Sequence, residues 1–253
     1  MKIALLVSYD GTQISGWQMQ KNVQSVQSFL EDAVYSAFSQ KVRIVGSGRT
    51  DAGVHASGQV CSFILDNNNI KPEKVANALN IFLPENIRVI KSAKVDDDFD
   101  ACRHAKLKTY RYAFYVCEHQ NPLKERYATQ LKAMPDVELM KQAALKLVGE
   151  HDFKAFCASK SSAKTTVREI MSVNVKSQES FGTCDIIIEV CGKGFLYNMV
   201  RIIAGTLVEI GLKKRNICEL EKALETGNRE LAGRTMSPKG LTLINVDYGK
   251  DIF

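Results

Sequence analysis

The sequence predicts an α+β fold whose sheets are mainly antiparallel. Residues 167–175 and 183–191 form a predicted strand pair, and each half of the chain carries strands with helices between or after them. The length of 253 residues suits one large domain or two smaller ones that share an interface. Hydrophobic residues make up 45% of the chain and charged residues 25%, so the chain has enough apolar side chains for packed cores.

The first half of the chain contains four predicted strands, each a short run of mostly apolar residues: residues 3–9, 42–45, 59–65 and 86–95. Apolar residues at helical spacing predict an amphipathic helix at residues 23–39. Pro72 opens a second helix that extends to about residue 79, because proline is favoured in the first turn of a helix.

An acidic loop at residues 96–100 is the predicted junction between two parts, residues 1–103 and 104–253. The second part has predicted strands at residues 106–116, 167–175, 183–191 and 241–246. Its predicted helices lie at residues 136–149, 195–210 and 216–227. Asn216 and Glu219 have the spacing of a capping box at the start of the last helix.

The charge and the cysteines restrict the class of protein. The formal net charge of +6 fits a polyanionic partner such as nucleic acid. The seven cysteines form no C-x-x-C pair and the four histidines are scattered, which argues against a zinc site and a disulfide framework. Unpaired cysteines in apolar runs indicate a reducing compartment, so we expect a cytoplasmic protein. No apolar run reaches the roughly 18 residues of a membrane span, and we expect no membrane partner.

The most informative stretch is Gly-Arg-Thr-Asp-Ala-Gly-Val-His-Ala at residues 48–56, in which Asp51 lies between two glycines. Glycine lets the backbone adopt conformations closed to other residues, and it lets a ligand approach closely. A carboxylate held beside the cation of Arg49 stays ionised, which is how an enzyme presents a carboxylate nucleophile. The alternative is an Asx-type turn between two strands.

An aromatic strand at residues 109–112, Thr-Tyr-Arg-Tyr, is a candidate for RNA binding. Its rings can stack on a base, and the interleaved Lys106, Lys108 and Arg111 can hold phosphates. The alternative is an ordinary half-buried strand.

Two further features have a structural and a functional interpretation. Trp17, between Gly16 and Gln18, is the only tryptophan, and its local sequence favours a packed corner over a site. Arg201 falls inside the predicted apolar helix, where a buried guanidinium requires a carboxylate partner. A structural salt bridge would satisfy the same requirement.

Together these strings closely resemble the tRNA pseudouridine synthase A (TruA) family over almost the whole chain. The string Gly-Arg-Thr-Asp-Ala-Gly at residues 48–53 is highly specific for the family. The other matching strings follow in the family's order and spacing: Tyr-Asp-Gly (9–11), Gly-Trp-Gln (16–18), Leu-Pro (83–84), Tyr-Arg-Tyr (110–112), Gly-Glu-His-Asp-Phe (149–153), residues 195–201 and Gly-Leu (240–241).

The resemblance implies a pseudouridine synthase fold, in which two α/β subdomains with mainly antiparallel sheets flank a central catalytic cleft. It implies an isomerase that flips a uridine out of the tRNA anticodon stem-loop and converts it to pseudouridine at position 38, 39 or 40. Members of the family act as homodimers, and they use no cofactor and no metal. The tRNA and a second copy of the chain are therefore the expected partners.

Several residues match the family's functional positions. Asp51 matches the nucleophile, and Arg201 matches the arginine that pairs with it. Tyr110 matches the tyrosine that stacks on the target uracil, and Arg49 matches the arginine that helps to hold the flipped nucleotide. We expect further RNA contacts from His55, Lys106, Lys108 and Arg111.

Two positions depart from the family's pattern and leave the target uridine open. The family usually has an aromatic residue at the position of Ile14 and often a basic residue at that of Cys102. Both changes could alter RNA contacts, so a same-family enzyme acting on a different RNA uridine is one alternative.

Two other functions remain to be weighed. One is a non-catalytic RNA-binding module, against which Asp51 argues because binding a polyanion needs no carboxylate. An aspartate-dependent hydrolase or phosphotransferase would require a metal cluster or a phosphate-binding glycine loop, and the sequence has neither pattern.

Overall fold

The computed structural model describes residues 1–66, 69–158 and 163–253. By its backbone contacts the chain divides into two compact units. The first comprises Met1–Leu107 and Leu243–Phe253, and the second comprises Lys108–Thr242. Each unit combines helices with mainly antiparallel strand pairs, which confirms the predicted α+β class.

The strands and helices of the described residues are numbered along the chain. The strands are β1 (Lys2–Tyr9), β2 (Val45–Gly46), β3 (His55–Ile64), β4 (Ile87–Val95), β5 (Leu107–Val116), β6 (Thr129–Leu131), β7 (Gly149–Asp152), β8 (Val167–Ser180), β9 (Thr183–Gly192) and β10 (Leu241–Asp247). The α-helices are α1 (Val26–Phe38), α2 (Val75–Asn80), α3 (Val137–Leu145), α4 (Met199–Gly211) and α5 (Ile217–Thr226).

In the first unit the strand order is β4-β1-β3-β10, with β2 beside β3. β1 pairs antiparallel with both of its neighbours, so that Lys2 lies opposite Ile64 on one side and Val95 on the other. α1 begins with a capping box, in which the hydroxyls of Ser25 and Ser28 each accept from the other residue's backbone N–H. The face that the apolar pattern predicts as buried carries Val26, Leu30, Ala33 and Val34.

In the second unit the strand order is β5-β9-β8-β7, and the short β6 pairs in parallel with β5. β8 and β9 form a hairpin whose turn residues, Phe181 and Gly182, both have positive φ, as a type I′ turn requires. α4 is buried along nearly its whole length, so the core of this unit forms around it. The capping box predicted for Asn216 and Glu219 is present at the start of α5.

Some boundaries differ from those that the sequence predicts. The strand predicted at residues 42–45 is wrong over most of its length, because only Val45 of that segment pairs with β3. The helix predicted from residue 195 begins at Met199, since Asn198 has a left-handed backbone with a φ of 61°. β6 and β7 carry no clear pattern of their own and form because a longer strand offers hydrogen bonds at its edge.

A buried lysine holds the β8–β9 turn in the second unit. Lys124 is 8% exposed, and its ammonium donates to the Ser180 carbonyl and to the Thr183 hydroxyl, both at 2.7 Å. The same ammonium donates to the carboxylate of Asp185. These three bonds use the three donors of an ammonium group, which is what a buried charge requires.

We predict that Lys124→Met lowers the free energy of unfolding by about 3 kcal/mol, because Asp185 loses its buried cation and two acceptors lose their donor. Denaturant unfolding followed by circular dichroism measures this difference. Lys141→Met is the matched control, since Lys141 forms an exposed ion pair with Glu138 on α3 and should contribute less than about 0.5 kcal/mol. Equal losses in the two variants would contradict the structural role of Lys124.

Candidate active site

The carboxylate of Asp51 lies on a loop, residues 47–54, that connects β2 to β3. The segment after β1 holds this loop, because the backbone N–H of Trp17 donates to the Thr50 carbonyl at 3.0 Å. The hydroxyls of Tyr9 and Thr50 also form a buried hydrogen bond of 2.7 Å. Both contacts restrain the residue directly before Asp51, so the backbone that presents the carboxylate is fixed.

The segment after β1 lies so close to the Asp51 loop that two positions in this segment require glycine. A Cβ at Gly16 would lie 2.6 Å from the Thr50 carbonyl oxygen, and the φ of Gly16 is +86°. A Cβ at Gly11 would lie 2.1 Å from the Val54 carbonyl oxygen. The motifs Tyr-Asp-Gly and Gly-Trp-Gln therefore belong to the structural support of the Asp51 loop.

The other side of the loop is held by Gln59, whose side chain is fully buried on β3. The Ser47 hydroxyl donates to Gln59 Oε1 at 2.5 Å, and Gln59 Nε2 donates to the Gly48 carbonyl at 3.0 Å. Sequence reasoning missed Gln59, although an amide inside an otherwise apolar strand is a signal. With this support, Asp51 is half-buried and Arg49 is exposed.

His55 supports the same loop from its end. The residue is 3% exposed, and its Nδ1 lies 3.1 Å from both the Gly11 nitrogen and an Asp10 carboxylate oxygen. A neutral Nδ1 accepts from the Gly11 N–H, whereas a protonated ring can donate to Asp10. The RNA contact expected of His55 stays a prediction.

Tyr110 lies on β5 in the second unit and is 8% exposed. Its ring makes a T-shaped contact with Phe195, with centroids 5.1 Å apart and planes at 83°, which fixes the plane of the tyrosine. On the same strand, Lys108 is half-buried and Arg111 is exposed. Arg111 donates from Nε and Nη2 to Glu189 Oε1 at 2.9 and 2.7 Å, across the β5–β9 pair.

Arg201 lies in the first turn of α4 and is half-buried. Its Nε donates to the Met236 carbonyl at 2.6 Å, and its Nη1 donates to Asn198 Oδ1 at 2.5 Å. Neither of these partners is the carboxylate that the sequence predicts, and that pairing stays a prediction. Sequence reasoning missed Asn198, although asparagine directly before an apolar helix is a recognisable signal.

Lys106 is exposed in the first unit, and its backbone N–H donates to the Asp247 carbonyl at 2.8 Å. It lines a cavity of about 410 Å³. Three other basic side chains line the same cavity: Arg103, His104 and Lys250.

The two positions that depart from the family's pattern have different surroundings. Ile14 is 4% exposed, and its carbonyl accepts from the Gly53 N–H at 3.3 Å, so it belongs to the support of the Asp51 loop. Cys102 is exposed in the turn after β4. The N–H groups of Arg103 and Cys102 lower the pKa of the Asp100 carboxyl by donating to it, which stabilises that turn.

The described residues contain no cluster of three or more His, Cys, Asp and Glu side chains that could hold a metal ion. No helix in the same part of the chain is long and apolar enough to cross a membrane. The cysteines are free thiols, and burial raises the pKa of the Cys61 thiol.

A family model described as tRNA pseudouridine synthase matches residues 5–102 and 143–249 of this chain, which is more than half of its length. The first matched range contains Asp51 and the second contains Arg201. Tyr110 lies between the two matched ranges.

Relatives that match nearly the whole chain bear the name tRNA pseudouridine synthase A, among them the following three. The protein from Acetivibrio thermocellus is 42% identical over 246 residues, which cover 97% of this chain and 99% of that protein. The one from Shouchella clausii is 43% identical over 253 residues, or 100% of this chain and 95% of that protein. The one from Geotalea uraniireducens is 42% identical over 249 residues, or 98% of this chain and 99% of that protein.

A solved structure titled "Crystal Structure of a Cbf5-Nop10-Gar1 Complex" aligns with 96% of this chain, at a TM-score of 0.34 and 11% identity, and this chain spans 57% of that one. The sequence matches, and not this superposition, carry the assignment. By those matches the chain belongs to the tRNA pseudouridine synthase family, which confirms the resemblance seen in its motifs.

Proposed function

We propose that this chain isomerises uridine to pseudouridine in tRNA, with Asp51 as its nucleophile. The observation that carries the proposal is the half-buried carboxylate on a loop that Tyr9, Trp17 and Gln59 hold in place. The match to the tRNA pseudouridine synthase family, which spans Asp51, supports the same activity.

The reaction breaks the C1′–N1 bond of uridine, turns the uracil and forms a C1′–C5 bond. The hydrogen on C5 leaves as a proton and N1 ends with a proton, so the product contains the same atoms as the substrate. The carboxylate attacks the sugar C1′ or the base C6, or it assists elimination at the sugar, and these routes remain alternatives. The base must first leave the helical stack, which costs a few kcal/mol.

We assign the remaining roles by position in the two parts of the chain. Residues 1–103 supply the loop of Asp51, and residues 104–253 supply Tyr110 and Arg201, which face Asp51 across a central cleft. A guanidinium beside Asp51 would favour the ionised form of the carboxylate. Tyr110 stacks on the flipped uracil and returns about 1–3 kcal/mol.

We assign the RNA backbone to basic residues around this cleft. Arg49 helps to hold the flipped nucleotide, and its exposure supports the role. Further contacts come from His55, Lys106, Lys108 and Arg111. The Arg111–Glu189 pair is partly exposed, so a phosphate can replace the carboxylate at little cost. Each phosphate that is neutralised should steepen the fall of tRNA affinity with salt.

We propose the anticodon stem-loop as the target, at position 38, 39 or 40. Relatives named tRNA pseudouridine synthase A support tRNA as the substrate class. Mapping of pseudouridine in RNA from a strain that lacks the gene, with and without the wild-type chain restored, identifies the position. Sites restored elsewhere in RNA would favour the alternative, a same-family enzyme with a different target uridine.

We predict that Asp51→Asn and Asp51→Ala lower turnover by at least about 1000-fold, because the nucleophile is removed. Tritium release from tRNA labelled at C5 of uridine measures turnover. Binding of tRNA should not weaken, since a negative charge is removed, and the free energy of unfolding should change by less than about 1 kcal/mol.

Asp98→Asn is the matched control for this experiment, because Asp98 is an exposed loop carboxylate of the first unit. Its turnover should equal that of the wild type. Turnover by Asp51→Ala that falls less than about 1000-fold below the wild type would refute the nucleophile assignment. Tight tRNA binding without any turnover by the wild type would favour the RNA-binding module instead.

We predict that Tyr110→Ala lowers turnover at least about 100-fold, because the flipped base loses its stacking partner. Tyr110→Phe keeps the ring and should bind tRNA as the wild type does. Turnover under single-turnover conditions and the Kd for tRNA are measured for both variants. Tyr35→Ala, at an exposed position on α1, is the control. Full activity of Tyr110→Phe would leave stacking as the sole role of Tyr110.

We propose that the enzyme acts as a homodimer, because a second copy enlarges the basic surface offered to a long anionic tRNA. The net charge of one chain is only +6. We predict a sedimentation mass of twice 28.2 kDa at micromolar concentration. Two results together would count against the dimer. These are a mass of 28.2 kDa for the free protein and a complex that contains one chain per bound tRNA.

A further inference from the structure

We propose that Asn198 and a segment at residues 232–237, called the strap, position Arg201; the proposal rests on the role given to Arg201 above. The Asn198 side chain accepts from Nη1 of Arg201 at 2.5 Å, and the strap's Met236 carbonyl accepts from Nε at 2.6 Å. A guanidinium is planar and its donors have fixed directions. Two anchors on different nitrogens therefore fix the orientation of the whole group.

The backbone of Asn198 is unusual for its place in the helix. It precedes α4 as the N-cap residue, but its φ of 61° and ψ of 7° are left-handed, and its side chain caps no backbone N–H. An N-cap residue ordinarily has an extended backbone and a side chain that accepts from the first turn. In Asn198 the side-chain oxygen is instead directed to the Arg201 side chain, three residues later. A departure of this kind supports a functional constraint.

The strap is attached to α4 along its length. The Gly233 N–H donates to the buried Thr206 hydroxyl at 2.7 Å, and the Arg234 N–H donates to Glu209 Oε1 at 3.2 Å. The two backbones touch, because a Cβ at Gly205 would lie 2.0 Å from the Arg234 carbonyl oxygen. The strap is thus fixed to the helix that carries Arg201.

The end of the strap is fixed by two further bonds. The Met236 N–H donates to the Arg201 carbonyl at 3.3 Å, so Met236 bonds both the backbone and the side chain of Arg201. The Tyr112 hydroxyl donates to the Ser237 carbonyl at 2.6 Å. Burial raises the pKa of Tyr112 to about 12, so the phenol remains a donor at neutral pH. The Met236 carbonyl is therefore held at a defined place beside the guanidinium.

Asn198→Gly tests the positioning role, because glycine adopts the left-handed backbone without strain while the side chain that accepts from Arg201 is lost. We expect kcat to fall by about 10- to 100-fold, while the KM for tRNA changes by less than about twofold. Asn216→Gly is the matched control, since Asn216 is the N-cap of α5 and caps that helix conventionally. The control should keep the wild-type kcat and KM.

A second measurement is independent of activity. The ¹H–¹⁵N signal of Arg201 Nε, assigned with Arg201→Lys, reports how firmly the guanidinium is held. We expect its hydrogen exchange to be slow in the wild type and in Asn216→Gly. It should be at least about tenfold faster in Asn198→Gly, because a guanidinium that has lost its Nη1 anchor leaves the Met236 carbonyl more often.

The outcomes separate this proposal from the proposed function. A wild-type chain that makes no pseudouridine refutes the function, and the exchange of Nε–H still decides whether Asn198 holds Arg201. If the wild type is active, a wild-type kcat in Asn198→Gly overturns the positioning role. Unchanged Nε–H exchange in Asn198→Gly overturns it as well, whatever the activity.

Discussion

The Asp51 loop depends on backbone segments that touch with no side chain between them. At Gly16 the chain passes the Thr50 carbonyl so closely that a Cβ would lie 2.6 Å from the oxygen. At Gly11 a Cβ would lie 2.1 Å from the Val54 carbonyl oxygen. Any larger residue would push the loop away from the segment after β1 that supports it. The hydrogen bond from the Trp17 backbone N–H to the Thr50 carbonyl depends on the first of these approaches.

The spacing of apolar residues predicts the helices and strands that depend only on neighbouring residues in the sequence. Val26, Leu30 and Val34 recur at helical spacing because one face of α1 is buried, and the helix is present. Residues 42–44 are apolar enough for a strand, but they lie outside β2, since a strand requires a partner that sequence alone does not show. The late start of α4 comes from the left-handed backbone of Asn198, which helix propensity does not predict.

Only those residues of the candidate site that lie in recognisable sequence motifs could be predicted. Asp51 and Arg201 stand out because a carboxylate between glycines and a cation among apolar residues are both unusual. The carbonyl that binds the Arg201 side chain belongs to Met236, a residue 35 positions away, and no spacing rule links the two. Gln59 was missed for a related reason, since its amide fixes the Gly48 carbonyl through a strand pairing that only the folded chain creates.

The residues proposed for chemistry are restrained more firmly by the structure than Arg111, which is proposed for RNA contact. Groups that stabilise a transition state are effective when they are held in place before the substrate arrives. The backbone before Asp51 and the guanidinium of Arg201 both have such restraint, through Thr50 in one unit and Met236 in the other. Arg111, by contrast, is exposed and paired with a single carboxylate oxygen, a contact of little energy. A side chain of that kind can follow a phosphate along a flexible RNA backbone, because it has little to lose when it exchanges one anion for another.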